Sequence, residues 1–251
     1  MATKIGEVEA IFRYPVKSMA GVRLAVAELG WHGVEGDRRL GLRRCQDRGG
    51  FPWLTAGRLP ELVRFTPHGG GDGAAGELPT LVRTPEGQDL PIFGEALATD
   101  IGRRAGTSVE MMQWKHGIFD DACVSVIASA TVDEVGRLAG QGADVRRFRP
   151  NVVVRLSRAS PFQEDEWVGR ALSFGEGDDA PTIAVTMRDL RCAMVNIDPD
   201  TARSAPEVMK AIVGANQNFA GVYGTVTRTG RLAVGQPILL GPAQPSEREL
   251  A

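Results

Sequence analysis

The chain of 251 residues carries 29 Lys and Arg against 31 Asp and Glu, a formal net charge of -2, with 43% hydrophobic and 24% charged residues. This is the composition of a soluble globular protein that can bury a core without staples, and it leaves no whole-molecule field to favour nucleic acid. Its three widely spaced cysteines, Cys45, Cys123 and Cys192, include no Cys-x-x-Cys, which argues against a disulfide framework and against a four-thiolate zinc or iron–sulfur site.

In chain order, Val8, Ala10 and Phe12 read as one face of a strand that stops at Tyr14-Pro15. The loop Pro15 to Gly21 presents Lys17 and Ser18, and Val22 to Val26 alternates as a second strand. A turn-rich connection, Gly30 to Asp37, leads to a strand at Arg38 to Arg43. Leu62 to Phe65 and Leu81 to Thr84 read as further strands around a flexible tip, Pro67 to Gly73, which includes His68. Glu95 to Arg104 is the first helix, with Leu97 and Ile101 one turn apart. Strands follow at Thr107 to Trp114 and Val124 to Ile127. Thr131 to Glu134 fits a capping box that opens a helix running to Gly140. Strands are expected at Val152 to Leu156, Leu172 to Phe174 and Thr182 to Met187. A helix opens at Ser204-Ala205-Pro206-Glu207 and ends before Gly214. Phe219 to Thr227 and Leu232 to Leu240 flank a hairpin turn at Arg228 to Arg231. The fold class is therefore mainly β with a few helices. The pattern shifts from pure strand to mixed strand and helix near residue 95, which divides the chain into 1–95, 96–241 and a flexible tail, 242–251.

Two stretches stand out chemically. In Arg191-Cys192, a cation adjoins a thiol directly upstream of a turn, Asp198-Pro199-Asp200. A free cysteine is most often a small buried hydrophobe, but a neighbouring cation makes the thiolate available as nucleophile or metal ligand. In Phe148-Arg149-Pro150-Asn151, the proline confines Arg149 to extended geometry, suiting it to grip a phosphate or carboxylate, with Asn151 adding polar groups to the same mouth. Arg146 and Arg147 read more simply as a solvated basic face. Cys123 reads as a buried structural cysteine, and Cys45 has no clear role. His32, His68 and His116 fit no metal spacing. No Walker loop, dinucleotide fingerprint, nucleophile elbow or His-Glu-x-x-His is present.

The order Tyr14-Pro15-Val16-Lys17-Ser18, Gly36-Asp37-Arg38-Arg39, Arg147 to Asn151, Arg191-Cys192 with Ile197-Asp198-Pro199, and Phe219 to Tyr223 resembles the MOSC superfamily. The likeness is to its two-part form, with an N-terminal β-barrel-like domain (1–95) ahead of a β-barrel MOSC domain (96–241), and runs from about Val8 to about Leu240. The chain is similar to the mitochondrial amidoxime reducing component and its bacterial relatives. That resemblance implies molybdenum cofactor, with Cys192 as both metal ligand and catalytic centre. It places Lys17, Ser18, Arg38, Arg149, Asn151 and Arg191 around the pterin and its phosphate; pyridoxal phosphate is not expected. Soft sulfur for the metal and guanidinium for the phosphate agree with the residue chemistry. The chain departs from the family pattern at Cys123, where proline is common, at the extra small residue in Phe219 to Tyr223, and at Gly235-Gln236.

The expectation is thus a molybdenum-cofactor-dependent oxidoreductase that reduces N-hydroxylated or N-oxide small molecules. With no ferredoxin-like segment, its electrons would come from a separate donor protein. The alternative is a sulfur or molybdenum-cofactor carrier that uses Cys192 as a persulfide or docking thiol. A third reading is a binding module that kept the fold and lost the chemistry. No apolar run approaches the ~20 residues a membrane helix needs and no secretory core is visible, so a cytoplasmic monomer or homodimer without membrane or nucleic-acid partners is expected.

Overall fold

The computed structural model describes residues 2–70, 77–142 and 144–242. In chain order its elements are β1 (Thr3–Arg13), β2 (Val22–Leu24), β3 (Val26–Gly30), β4 (Gly33–Val34), β5 (Leu40–Arg44), β6 (Thr66–His68), β7 (Leu81–Arg83), β8 (Asp89–Pro91), α1 (Glu95–Ala105), β9 (Val109–Gln113), β10 (Val124–Ala128) and α2 (Ser129–Leu138). They continue with β11 (Val152–Leu156), β12 (Ala171–Phe174), β13 (Thr182–Leu190), α3 (Pro206–Asn216), β14 (Phe219–Arg228), β15 (Gly230–Ala233) and β16 (Pro237–Leu240).

Seven strands close a barrel in the order β1, β11, β10, β14, β13, β12, β16 and back to β1. All neighbours are antiparallel except β10 and β11, and α2 supplies the crossover that a parallel pair requires. Closure removes the exposed sheet edges. The interior is filled by Val8, Ile11, Val126, Val154, Trp167 and Phe174, all essentially without solvent contact. Outside the barrel, α2 and α3 cover Phe12, Tyr14 and Ile127 with Val132, Val208 and Ile212.

A second core belongs to the N-terminal segment, where α1 packs Leu97 and Ile101 against Leu40, Leu62 and Phe65. The two halves interleave. β1 is a barrel stave, β15 leaves the C-terminal half to pair with β3, and Ile197 is buried in the second core.

Several local expectations are corrected. Val8, Ala10 and Phe12 do not share a face. A register shift between Val8 and Ala10 sends Val8 and Ile11 into the barrel and Ala10 and Phe12 to the outer cluster, because one extra residue reverses strand parity. Leu62 to Phe65 is no strand; Pro60 opens a 3-10 turn over Pro60–Arg64. Thr131 does not cap its helix. α2 begins at Ser129, and the Thr131 hydroxyl instead donates to Glu164 Oε2 at 2.8 Å. Gly214 lies inside α3, which ends at Gln217 in the left-handed conformation. The expected hairpin strand Leu232 to Leu240 is two strands, divided by Gly235 at φ 86°, and β15 pairs with β3 rather than β14. His68 belongs to β6, with Nε2 2.8 Å from Asp89 Oδ1; Gly71 to Gly73 of the expected tip, and 243–251 of the expected tail, lie outside the described residues.

Glycines distinguish required from incidental backbone freedom. Gly221 adopts φ 88°, and a Cβ there would sit 2.9 Å from the Val126 carbonyl oxygen. We expect Gly221→Ala to destabilise by roughly 1–3 kcal/mol. Gly214 meets nothing within 4 Å. In its helical position, Gly214→Ala should stabilise by roughly 0.5–1 kcal/mol. Urea unfolding of both variants checks the pair.

Glu164 has no solvent exposure, and burial pushes its carboxyl from 4.5 up to about 7 against its hydrogen bonds. Folded protein holds this proton where the unfolded chain has released it. The stabilisation is therefore present below the ordinary value and lost as pH rises through about 7. Stability should fall by on the order of 3 kcal/mol from acid to mildly alkaline pH through this group, and Glu164→Gln should flatten that slope. Urea melts across that pH range test this; an equal slope in both proteins would sink it.

Candidate functional site

The site lies where the two halves meet. Pro15 ends β1, and the following loop is clipped to the segment before β5: Lys17 N–H donates to the Leu40 carbonyl at 2.8 Å, and Arg38 N–H to the Tyr14 carbonyl at 2.7 Å. Asp37, 1% exposed, completes the clip. Its Oδ1 accepts from Tyr14 N–H at 2.6 Å and its Oδ2 pairs with the Arg38 guanidinium.

Arg38 and Arg149 are held side by side. Arg38 Nη2 donates to the Arg149 carbonyl at 3.1 Å, and the guanidinium carbons lie 5.1 and 4.1 Å from the centre of the Tyr14 ring. Burial raises the Tyr14 hydroxyl to about 12, opposed by Arg149 and Arg38. Burial also lowers Arg149 to about 10, so it remains cationic near neutral pH. Arg149 donates to the Met19 carbonyl at 2.6 Å, yet has no ion-pair partner among the described residues, and its Nη2 is buried without a hydrogen bond. Such a cation is costly unless something anionic meets it.

The expectation that Pro150 holds Arg149 extended is overturned: Arg149 has φ 53°, and Ser18 and Arg38 are also left-handed at 69° and 49°. Three non-glycine residues in this sparsely populated region, all lining one cavity, mark a backbone constrained by its surroundings.

The cavity is about 470 Å³, and Lys17, Ser18, Arg38, Arg149, Arg191 and Cys192 all line it. Cys192 is exposed, at the head of a 3-10 turn over Ala193–Asn196. Arg191 Nη1 pairs with buried Asp189, and its Nη2 donates to the Phe148 carbonyl at 2.6 Å. Burial pushes Asp189 up to about 6, while Arg191 and the Ser125 hydroxyl oppose the shift. Lys17 Nζ is 2.6 Å from Asp120 Oδ1, which this ammonium holds below the ordinary carboxylate range despite burial.

Asn151 stands apart from this group. It is 1% exposed and stitches strands together, its Oδ1 accepting from Ser125 N–H at 3.1 Å and its Nδ2 donating to the Phe12 carbonyl at 3.3 Å. Cys123 does not line the cavity either; it packs against the barrel core, its Sγ 3.7 Å from the Gly224 carbonyl oxygen.

Arg147, read from sequence as part of a solvated face, is buried and also lines the cavity. It donates to the Asn196 carbonyl at 3.1 Å and pairs with Asp198 at 2.8 Å, fixing the turn that follows Cys192. The sequence offered one hint of this partnership, the carboxylates of Asp198-Pro199-Asp200. Arg146 is exposed as expected, paired with Asp144 and Asp200. Sequence reasoning missed Asp120, Asp189 and Tyr223, which enter the lining through pairings among distant segments, and the exposed apolar side chains Phe51 and Leu190. His32 and His116 have ring centres 4.0 Å apart, away from this lining, and no group of three or more metal-binding side chains occurs among the described residues.

Because Asp37 joins two cavity-bearing loops through a buried ion pair, Asp37→Asn should cost roughly 3–5 kcal/mol of stability. Urea unfolding provides the measurement, and a cost below about 1 kcal/mol would refute the clip.

Comparison with known proteins bears on this cavity. Residues 113–239 match the MOSC domain family, and residues 5–121 match the MOSC N-terminal beta barrel domain. Over 132 residues the chain is 27% identical to mitochondrial amidoxime reducing component 2 of Bos taurus, covering 47% of this chain and 37% of that protein's length. The YUAD protein from Bacillus subtilis shares the fold, with TM-score 0.53 at 13% identity over 97% of this chain and 100% of its own. YiiM from Geobacillus stearothermophilus aligns with 48% of this chain and 54% of its own, at 16% identity and TM-score 0.37. With over half of its residues inside the first match and most of the remainder inside the second, this chain belongs to the MOSC domain family.

Proposed function

We propose that the chain is a molybdenum-cofactor-dependent oxidoreductase that reduces N-hydroxylated or N-oxide small molecules. It would work in the cytoplasm as a monomer or homodimer, with electrons from a separate donor protein. The observation that carries this reading is the pairing, in one cavity, of an exposed thiol with a half-buried arginine that has no ion-pair partner among the described residues and whose Nη2 is buried without a hydrogen bond. A soft sulfur suits molybdenum, and guanidinium suits a phosphate. The family and the partial likeness to an amidoxime reducing component point the same way. Among the described residues no helix is long and apolar enough to cross a membrane.

In this reading Cys192 supplies the protein ligand to the metal. Lys17, Ser18, Arg38, Arg149 and Arg191 hold the pterin and its phosphate, and Asn151 fixes the strand from which Arg149 emerges. When bound, the cofactor would supply the two-electron chemistry of oxygen-atom removal. The chain's own part is placement and charge. Asp189 orients Arg191, Asp37 orients Arg38, and Arg147 anchors the turn that carries Cys192. Phe51 and Leu190, 55% and 58% exposed, offer apolar surface for the body of a substrate.

Expression in a host that makes the cofactor should yield protein carrying close to one molybdenum and one pterin per chain. Correctly folded protein free of both would overturn the reading. Cys192→Ala should abolish reduction of an amidoxime while leaving the unfolding midpoint unchanged. Arg149→Gln should weaken cofactor retention by roughly 2–5 kcal/mol, measured as pterin released on gel filtration.

The exposure of Cys192 favours one rival, a carrier that holds sulfur as a persulfide or docks the cofactor for delivery. Intact-protein mass spectrometry separates the two, because a stable added sulfur on Cys192 without molybdenum belongs to the carrier.

A further inference from the structure

A second cavity, of about 340 Å³, adjoins the first, and Arg147, Arg149 and Met194 line both. One side comes from the N-terminal segment around Arg64 and Arg83, the other from the Arg146 to Arg149 run and the turn near Asp200. Its volume is within the range of small-ligand sites.

Five guanidinium groups line this cavity: Arg64, Arg83, Arg146, Arg147 and Arg149. Asp200 is the one carboxylate among the described lining residues. Arg83 is matched by Asp89, Arg146 by Asp144 and Asp200, and Arg147 by Asp198. Arg64 and Arg149 have no ion-pair partner among the described residues. Arg64 is the unmatched cation that lines this cavity alone, while Arg149, which the proposed function gives to the pterin phosphate, stands on the wall shared with the first. An unmatched cation beside three matched ones, in a partly enclosed space, attracts an anion and is stabilised by it. Thr66 also lines the cavity and can donate a hydrogen bond from its hydroxyl, while Val63, Met194 and Ile197 contribute apolar surface.

We infer that this second cavity binds the phosphate or diphosphate of a small organic ester, with Arg64 as its distinguishing cation. Guanidinium takes phosphate oxygens bidentately, and the apolar side accommodates the body of the ester. The inference does not depend on molybdenum: Arg64 lines the second cavity and not the first. The ester could be a free nucleotide or the nucleotide end of an extended cofactor, which share this chemistry.

Calorimetric titration of the full chain with ADP and with inorganic pyrophosphate tests the site. ADP should bind, and more tightly than pyrophosphate. Arg64→Glu should weaken ADP at least roughly tenfold, and Arg64→Lys should retain most of the affinity. Lys17→Gln, which alters the first cavity alone, should change ADP affinity by no more than about twofold. If Arg64→Glu does not fold, Arg64→Gln serves in its place. Absence of ADP binding, indifference to Arg64, or loss in Lys17→Gln overturns the assignment; pyrophosphate binding as tightly as ADP overturns the ester. To separate the sources, cofactor-loaded protein is denatured and the supernatant analysed. A nucleoside monophosphate stoichiometric with pterin identifies the extended cofactor, and pterin alone identifies the free nucleotide. Protein that carries no molybdenum yet binds ADP through Arg64 would sink the redox reading and leave this one standing.

Discussion

The buried carboxylate of Asp37 is the contact on which the site depends. One oxygen holds the Tyr14 amide and the other holds Arg38, so the loop after β1 and the segment before β5 become one piece. Arg38 in turn grips the Arg149 carbonyl, and both guanidinium groups lean on the Tyr14 ring. Cation–π contact and one charged pair thereby keep several positive side chains together, an arrangement that Coulomb repulsion would otherwise disperse.

This cluster sits where two cores meet. The barrel and the N-terminal segment each bury their own apolar residues, but the chain passes between them repeatedly. β1 begins in one half and closes the barrel of the other, and Ile197, just beyond Cys192, anchors in the N-terminal core. The thiol is therefore placed by both halves at once. Rigid staves beneath and a pinned turn above are what a site needs when its first contacts must be held within fractions of an ångström.

Backbone strain gathers at the same seam. Ser18, Arg38 and Arg149 are left-handed although none is glycine; side-chain hydrogen bonds hold Arg38 and Arg149, and Ser18 is buried. The strain costs of order 1–3 kcal/mol per residue and persists because surrounding packing over-determines the geometry. It turns side chains inward that an extended chain would have pointed elsewhere. Arg149 shows this directly, since local sequence argued for extension before Pro150 and tertiary contacts decided otherwise.

The sequence by itself determined the class of the fold, because alternation and turn residues act locally and β1, α1, β10 and β11 follow from them. It also marked Arg149, Arg191 and Cys192 by their own chemistry, while Lys17, Ser18 and Arg38 became candidates only through the resemblance of ordered motifs to a family; the structure gathers those six around one cavity. What it left open depended on one-residue shifts and on partners far along the chain. The bulge in β1 reverses which side chains enter the barrel, and no local pattern announces it. Arg147 became a clamp because Asn196 and Asp198 were folded against it, and Thr131 gave up its cap for Glu164. Asn151 kept its polar groups for strand edges instead of the cavity. Hydrogen bonds between distant segments are settled only when packing fixes the distances, so tertiary structure alone decided which polar residues face a ligand and which hold the barrel together.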